Sequence, residues 1–230
     1  MAPKAALLGF AVAVAGLGWA APAPAHWAAA QLPEVPRAKI EKSRRLTEEE
    51  RGRVTAAQFA RCMVRRSARK VRAVLDLPLG READVAVAKL ASDECLEEGM
   101  LKMASSVFRG ALFEALYRLP QGPKLPASLA QLPARDYAAG ADVTNPDAAL
   151  DVALRTFADC VVRADPAASH KLLFTDIGAE REQAAFKALM PVFGNCLPRG
   201  NALKFSKPVL RGLIAEVAFR LAESAAGTGS

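Results

Sequence analysis

The sequence reads FARCMVR at residues 59–65 and FADCVVR at residues 157–163, an offset of 98 positions (157 minus 59). After short insertions in the second copy, the stretch RGALFEALYRL at 109–119 falls on RGLIAEVAFRL at 211–221. An apolar period that two helices share would not also reproduce the cysteine and Arg-Gly positions. The sequence therefore predicts one unit duplicated in tandem.

Each copy carries the signals of three helices. Thr47 and Glu50 are spaced as a capping box, and Asn145-Pro146 combines an N-cap with a proline at the first helical position. Alanine is abundant while aromatic residues make up 6% of the chain, which favours helices over sheets. The predicted fold class is all-α: two tandem three-helix units related by internal duplication, each cross-linked by one disulfide. The predicted helices span 47–66, 81–91 and 105–119, then 145–164, 179–189 and 207–223.

The first residues have the three parts of a secretory signal peptide: a basic start, an apolar run and a small-x-small site at Ala23-Pro24-Ala25. Cleavage after Ala25 would leave His26 at the N-terminus and place the protein in the periplasm or outside the cell. The alternative is that the apolar run is retained as a membrane anchor.

Proline-containing segments mark the boundaries of the two units, because proline fixes φ and removes a backbone donor. The segment between the copies contains four prolines from Pro120 to Pro133. The predicted organisation is a signal peptide at 1–25, a lead-in at 26–46, repeat 1 at 47–120, a linker at 121–144, repeat 2 at 145–224 and a disordered tail at 225–230.

Four cysteines in an exported chain favour disulfides, and four cysteines allow three connectivities. Each copy contains its own pair, so we expect Cys62–Cys95 and Cys160–Cys196. The alternative, a redox pair or a zinc site, lacks the local Cys-x-x-Cys spacing.

Two features of the third helices recur in both copies. Gly110 and Gly212 lie inside a helix, where glycine costs about 1 kcal/mol relative to alanine, so we expect another helix to pack closely there. Glu114 and Glu216 each precede an arginine by four residues, which predicts i,i+4 ion pairs.

The formal net charge is +7, and the densest basic run lies in the first helix. A helix continuing through this run would bring its arginines close to one face, as a candidate contact for an anionic surface. The alternative is an ordinary solvated face, and the lack of interleaved aromatic residues argues against nucleic acid. The candidate contact residues are Arg61, Arg65, Arg69 and Arg72.

Candidate catalytic chemistry is sparse. His170 lies beside Ser169 and near Asp165, but a triad is recognised by geometry and not by adjacency in sequence. His26 would offer an amino group and a ring nitrogen to copper without a second nearby ligand. The sequence predicts no catalytic residue, no metal site and no cofactor.

The pattern of FAxC, then a Cys-Leu pair, then RGxxxE resembles a family of small exported bacterial proteins that are uncharacterised. The resemblance covers residues 47–221 and implies no activity or site residues. We therefore expect a non-enzymatic binding or interaction module of the bacterial envelope, with an envelope protein or an anionic lipid surface as partner. The alternatives are a hydrolase-like periplasmic enzyme and a membrane-surface protein using residues 61–72.

Overall fold

The structure is a computed structural model. In the residues that it describes, all the regular secondary structure is helical. Those residues are 46–77, 80–90, 95, 103–126, 129, 132–197 and 206–227. The predicted signal peptide, all but the last residue of the lead-in, and His26 lie outside them. The all-α class is confirmed. The helices are α1 (Glu48–Leu75), α2 (Arg81–Lys89), α3 (Ser105–Tyr117), α4 (Pro146–Ala164), α5 (Pro166–Leu173), α6 (Glu180–Cys196) and α7 (Lys207–Gly227).

Both first helices begin where their capping residues predict. The Thr47 hydroxyl accepts from the Glu50 amide at 3.2 Å, and the Glu50 carboxylate accepts from the Thr47 amide at 2.9 Å. The Asn145 side chain accepts from the amide of Asp147 at 2.9 Å, directly before α4. These bonds satisfy amides that have no partner inside the helix.

The count of three helices in the second repeat is wrong, because a further helix, α5, follows α4. Pro166 ends α4 and also opens α5, with the Asp165 side chain accepting from the Ala168 amide at 2.8 Å. A proline that stops one helix is well suited to the first turn of the next. The first repeat has a break at the corresponding place: Ser67, 98 positions earlier, has φ −158° and ψ 71° inside α1, close to the −144° and 82° of Asp165.

The remaining boundaries differ in detail. The helix α6 continues to Cys196 rather than ending near residue 189. The helix α7 continues to Gly227, so residues 225–227, predicted as disordered, are helical. Residues 228–230 are outside the described part of the chain. The described residues of the linker contain no helix.

Both expected disulfides are present. Cys62 bonds to Cys95 and Cys160 to Cys196, with Cα–Cα distances of 5.8 and 5.7 Å. Each bridge joins the first helix of its repeat, α1 or α4, to a cysteine that precedes the last helix, α3 or α7. Structural disulfides are typical of proteins that fold in an oxidising compartment outside the cytoplasm.

The last helices of the two repeats, α3 and α7, lie at the centre of the core. The helix α1 packs on α3 and α4 packs on α7, and the described residues of both repeats belong to one compact unit, Arg45–Ser230. Arg163 of α4 fastens the linker, because its guanidinium donates to the carbonyls of Leu132 and Pro133 at 3.0 and 2.8 Å. Among the helices of the described ranges, none has the combined length and apolarity that a bilayer span requires.

Candidate functional site

The helices α3 and α7 cross at Gly110 and Gly212, as the recurrence of glycine predicted. A Cβ atom built on Gly110 would lie 2.5 Å from the Cα of Gly212, and the reverse distance is 2.9 Å. No carbon atoms approach that closely without a bond, so both positions require glycine. Gly110 and Gly212 are equivalent in the sequence repeat, so the two halves meet through the same position.

Ion pairs cross this contact in a reciprocal pattern. Arg211 of α7 donates to both carboxylate oxygens of Glu114 of α3, at 2.8 Å from Nε and 2.7 Å from Nη2. Its equivalent, Arg109 of α3, donates from Nη2 to Glu216 of α7 at 3.4 Å. All four side chains are buried. This reciprocity supports the predicted duplication, since each half contributes the same two residues to the other.

The cluster around Arg211 is completely paired. Its Nη1 also donates to Glu182 at 2.9 Å and to the Thr175 hydroxyl at 3.1 Å, and Glu182 in turn pairs with Arg53. Burial by itself would raise the pKa of Glu114. The hydrogen bonds and charges of Arg211 and Arg118 outweigh that effect, so its pKa is lowered. The carboxylate is therefore ionised at neutral pH.

The cluster around Arg109 is less complete. Arg109, Arg155 and Arg220 converge on the single buried carboxylate of Glu216, whose pKa is lowered because their charges outweigh its burial. The Nε and Nη1 atoms of Arg109 and the Nε of Arg155 are buried without a hydrogen-bond partner. Burial lowers the pKa of Arg109, whereas the bonds to Glu114 and Glu182 raise that of Arg211 in spite of its burial.

The sequence predicted only the i,i+4 pairs of this network, Glu114–Arg118 and Glu216–Arg220. Both are present, at 3.2 and 3.3 Å. Burial of the acids and the pairing between repeats were not predicted. The recurrence of RGxxxE in both copies was the available signal, because a charged motif kept beside a close-packing glycine points to a buried contact. These groups join helices and leave no free acid or base for catalysis within the network.

An aromatic cluster lies at one end of α3. The hydroxyl of Tyr117 and Nδ1 of His170 are 2.8 Å apart, and the His170 ring stacks on Phe174 with 4.6 Å between centroids. Partial burial and the charge of Lys124 lower the pKa of His170, which favours the neutral ring. Phe174 is 42% exposed, which is unusual for a ring with so many neighbours.

Two cations lie over the exposed ring of Phe174. The guanidinium carbon of Arg118 and the Nζ of Lys124 are each 5.5 Å from the ring centroid, within the range of a cation–π interaction. Both cations come from the first repeat or the residues directly after it, and the ring comes from the second. The fold therefore brings together an aromatic ring and cations that are about 50 positions apart (174 minus 124).

The predicted arginine cluster is divided by the break at Ser67. Arg61 is half-buried, and partial burial with the charges of Arg118 and Arg65 lowers its pKa. Arg61 lies close enough to Arg65, to Arg118 and to the carboxylate of Asp176 for their charges to act on it. Arg69 is exposed beyond the break, and Arg72 pairs with Glu223. We call the following group the aromatic–cationic face: Arg61, Arg65, Arg118, Lys124, His170 and Phe174.

The equivalent surface of the other half carries different side chains. The repeat aligns Phe174 with Asp76 and Arg118 with Arg220, and Asp76 and Arg220 form an ion pair at 3.6 Å. It also aligns His170 with Arg72 and Gln121 with Glu223, and there Arg72 pairs with Glu223 and lies 4.9 Å over the ring of Phe219. Asp76 and Glu223, the acids that pair with these arginines, thus correspond to the uncharged residues Phe174 and Gln121 in the other half.

The residues that suggested a triad do not form one. The Nδ1 of His170 is used by Tyr117, the Asp165 side chain caps α5, and the Ser169 hydroxyl is buried without a hydrogen-bond partner. Within the described ranges, no group of three metal-ligating side chains is clustered.

A small cavity of about 30 Å³ lies beside the glycine crossing and is lined in part by Arg53 and Arg211. A second space, of about 530 Å³, is an open groove along α2 whose charged lining residues, Arg81, Glu82 and Lys89, are exposed to solvent.

Comparison with known proteins found no match among protein-family models, curated proteins or solved structures.

Proposed function

We propose that this protein is a non-enzymatic binding module of the bacterial envelope that takes an anionic partner on the aromatic–cationic face. The predicted signal peptide, cleaved after Ala25, would deliver it there, and the resemblance of residues 47–221 to exported bacterial proteins points the same way. The two disulfides suit an oxidising compartment.

The observation that carries the proposal is the divergence between equivalent places in the two halves. Asp76 and Glu223 pair with Arg220 and Arg72 in one half. At the equivalent positions of the other half, Phe174 and Gln121 place no acid beside Arg118, whose acid partner is Glu114. Scaffold positions that serve only stability would be expected to keep the ion pairs. A cationic surface with an exposed ring is the chemistry that attracts an anionic ligand.

The test measures binding to dextran sulfate, a soluble polyanion, by titration calorimetry at low and high salt. We expect salt-sensitive binding that Arg65→Gln/Lys124→Gln weakens about 25-fold, taking about 1 kcal/mol per cation. Arg181→Gln/Lys187→Gln removes the same charge from the exposed face of α6 and is the matched control. Equal losses in both variants would show a response to net charge alone and contradict the proposal, as would a parent protein that does not bind.

A further inference from the structure

We infer that the anionic partner of the aromatic–cationic face is the surface of a phospholipid bilayer, with the edge of Phe174 entering the headgroup region. This inference rests on the proposed function and adds the class of partner. It follows from the way in which the ring is covered, from the arrangement of the cations and from the position of Lys124.

The faces of the Phe174 ring are already in contact with protein groups. His170 stacks on it with an interplanar angle of 28°, and Arg118 and Lys124 approach over the ring. The ring faces are therefore partly occupied by protein groups, while 42% of the residue remains open to solvent. A nucleic-acid base requires a free aromatic face for stacking, so this geometry disfavours a single-stranded nucleic acid.

An anionic polysaccharide would use the cations but gain nothing from an exposed apolar edge. A bilayer surface uses both, because apolar side chains enter the interfacial region while lysine and arginine reach the phosphate groups from beside them. An aromatic ring at headgroup level with basic residues around it is the composition of an interfacial anchor.

The cations around the ring are held in place by other contacts. The Nζ of Lys124 donates to the carbonyls of Tyr117 and Leu119 at 3.2 and 3.1 Å, at the C-terminal end of α3. Arg118 is anchored by Glu114 at 3.2 Å. A cation already held beside the ring loses less conformational entropy when a phosphate binds. The face is thus preorganised for several phosphates around one apolar point.

The experiment measures cosedimentation with vesicles of phosphatidylcholine, with and without phosphatidylglycerol. We expect binding that needs phosphatidylglycerol, decreases with salt, and weakens about 25-fold in Arg65→Gln/Lys124→Gln. Phe174→Ala should weaken it by about fivefold to tenfold through the lost apolar contact. Met190→Ala, which removes an apolar side chain that is 60% exposed on α6, is the control and should bind as the parent does.

The outcomes separate this inference from the proposed function. Binding to dextran sulfate without binding to the vesicles would overturn the lipid inference and leave the proposed function standing. Tighter binding to single-stranded DNA than to vesicles would also overturn it. Unchanged vesicle binding in Phe174→Ala, with a melting temperature equal to that of the parent, would exclude insertion of the ring. Binding to neither probe would contradict both proposals.

Discussion

Arg211 reaches across the crossing of α3 and α7 and binds Glu114 through two hydrogen bonds of 2.8 and 2.7 Å. Its counterpart in the repeat, Arg109, makes one bond of 3.4 Å to Glu216 and one of 2.7 Å to the carbonyl of Leu75, and it leaves two nitrogen atoms without partners. The guanidinium on one side of the crossing, Arg211, is thus fully hydrogen-bonded, whereas Arg109 on the other side is only partly hydrogen-bonded. This inequality gives the first stability test.

Arg211→Met should destabilise the protein far more than Arg109→Met. Removal of Arg211 leaves the buried charges of Glu114 and Glu182 with one positive partner fewer, a change that typically costs about 3 to 5 kcal/mol. Removal of Arg109 leaves Glu216 with Arg155 and Arg220 and eliminates the unpartnered atoms. The bond to the Leu75 carbonyl is also lost, but Arg220 still donates to that oxygen, so we expect a cost of only about 1 kcal/mol. Urea unfolding of the two variants measures the difference, and equal costs would show that the two clusters are equivalent.

The glycine crossing predicts a strong dependence on side-chain size. Gly110→Ala places a Cβ against the backbone of Gly212, which no rotamer can relieve, so the helices must separate at a cost of about 3 kcal/mol or more. Gly52→Ala is the control, because nothing lies within 4 Å of a Cβ there. It should stabilise α1 by up to about 1 kcal/mol. A Gly110→Ala variant as stable as the parent would exclude the close crossing.

Much of this architecture was accessible from the sequence, and the reasons are local. The capping box of Thr47 and Glu50 and the Asn145 cap act within one helical turn, so they predicted the starts of α1 and α4. The cysteine pairing followed from one pair in each copy. The close approach at Gly110 and Gly212 followed from the recurrence of a residue that is costly inside a helix.

The other features depend on tertiary contacts. The sequence did not predict α5, because a proline after a helix is as typical of the end of that helix as of the first turn of the next one. The burial of Glu114 was missed because an i,i+4 arginine also explains a solvated glutamate. The aromatic–cationic face joins Lys124 to Phe174 across the linker, and no spacing along the chain reveals such a contact. The basic run of α1 has no interleaved aromatic residue in the sequence, but the fold places the ring of Phe219 under Arg72.

The buried carboxylates predict the acid side of the stability profile. Glu114 and Glu216 have lowered pKa values in the folded protein, so each contributes stability above its ordinary pKa near 4.5. That stability is lost as the pH falls through the folded-state pKa, because protonation breaks the ion pairs. The free energy of unfolding should therefore decrease steeply below about pH 4.5, where the unfolded chain binds more protons.

Glu216→Gln should flatten this decrease while lowering stability at pH 7, because the neutral side chain no longer titrates and no longer compensates three arginines. Glu49→Gln removes a carboxylate from an exposed position of α1 and is the control. Urea unfolding between pH 7 and pH 3 gives the comparison. A profile in Glu216→Gln as steep as that of the parent would assign the acid sensitivity to other groups.

The disulfides should contribute comparable stability to the two repeats. Their sequence separations are 33 and 36 residues, for which loop-closure entropy predicts about 3.5 to 4 kcal/mol each. Cys62→Ala/Cys95→Ala and Cys160→Ala/Cys196→Ala should each lower the free energy of unfolding by about that amount. Peptide mapping under non-reducing conditions checks the pairing, and a peptide linking Cys62 to either cysteine of the second repeat would refute it.

The proposed binding face depends on Phe174 and Gln121, which stand where the other half has acids, and exchanging these residues tests that dependence. Phe174→Asp/Gln121→Glu restores the residues that stand at the equivalent positions of the other half, Asp76 and Glu223. Met190→Asp/Gln183→Glu makes the same chemical change on the exposed surface of α6 and is the matched control.

The decisive measurement is the affinity of these two variants for vesicles containing phosphatidylglycerol, beside their melting temperatures. We expect both variants to fold with stability close to that of the parent, and Phe174→Asp/Gln121→Glu to bind about 25-fold or more weakly than the control. Equal affinity of these two folded variants would contradict the proposed binding face.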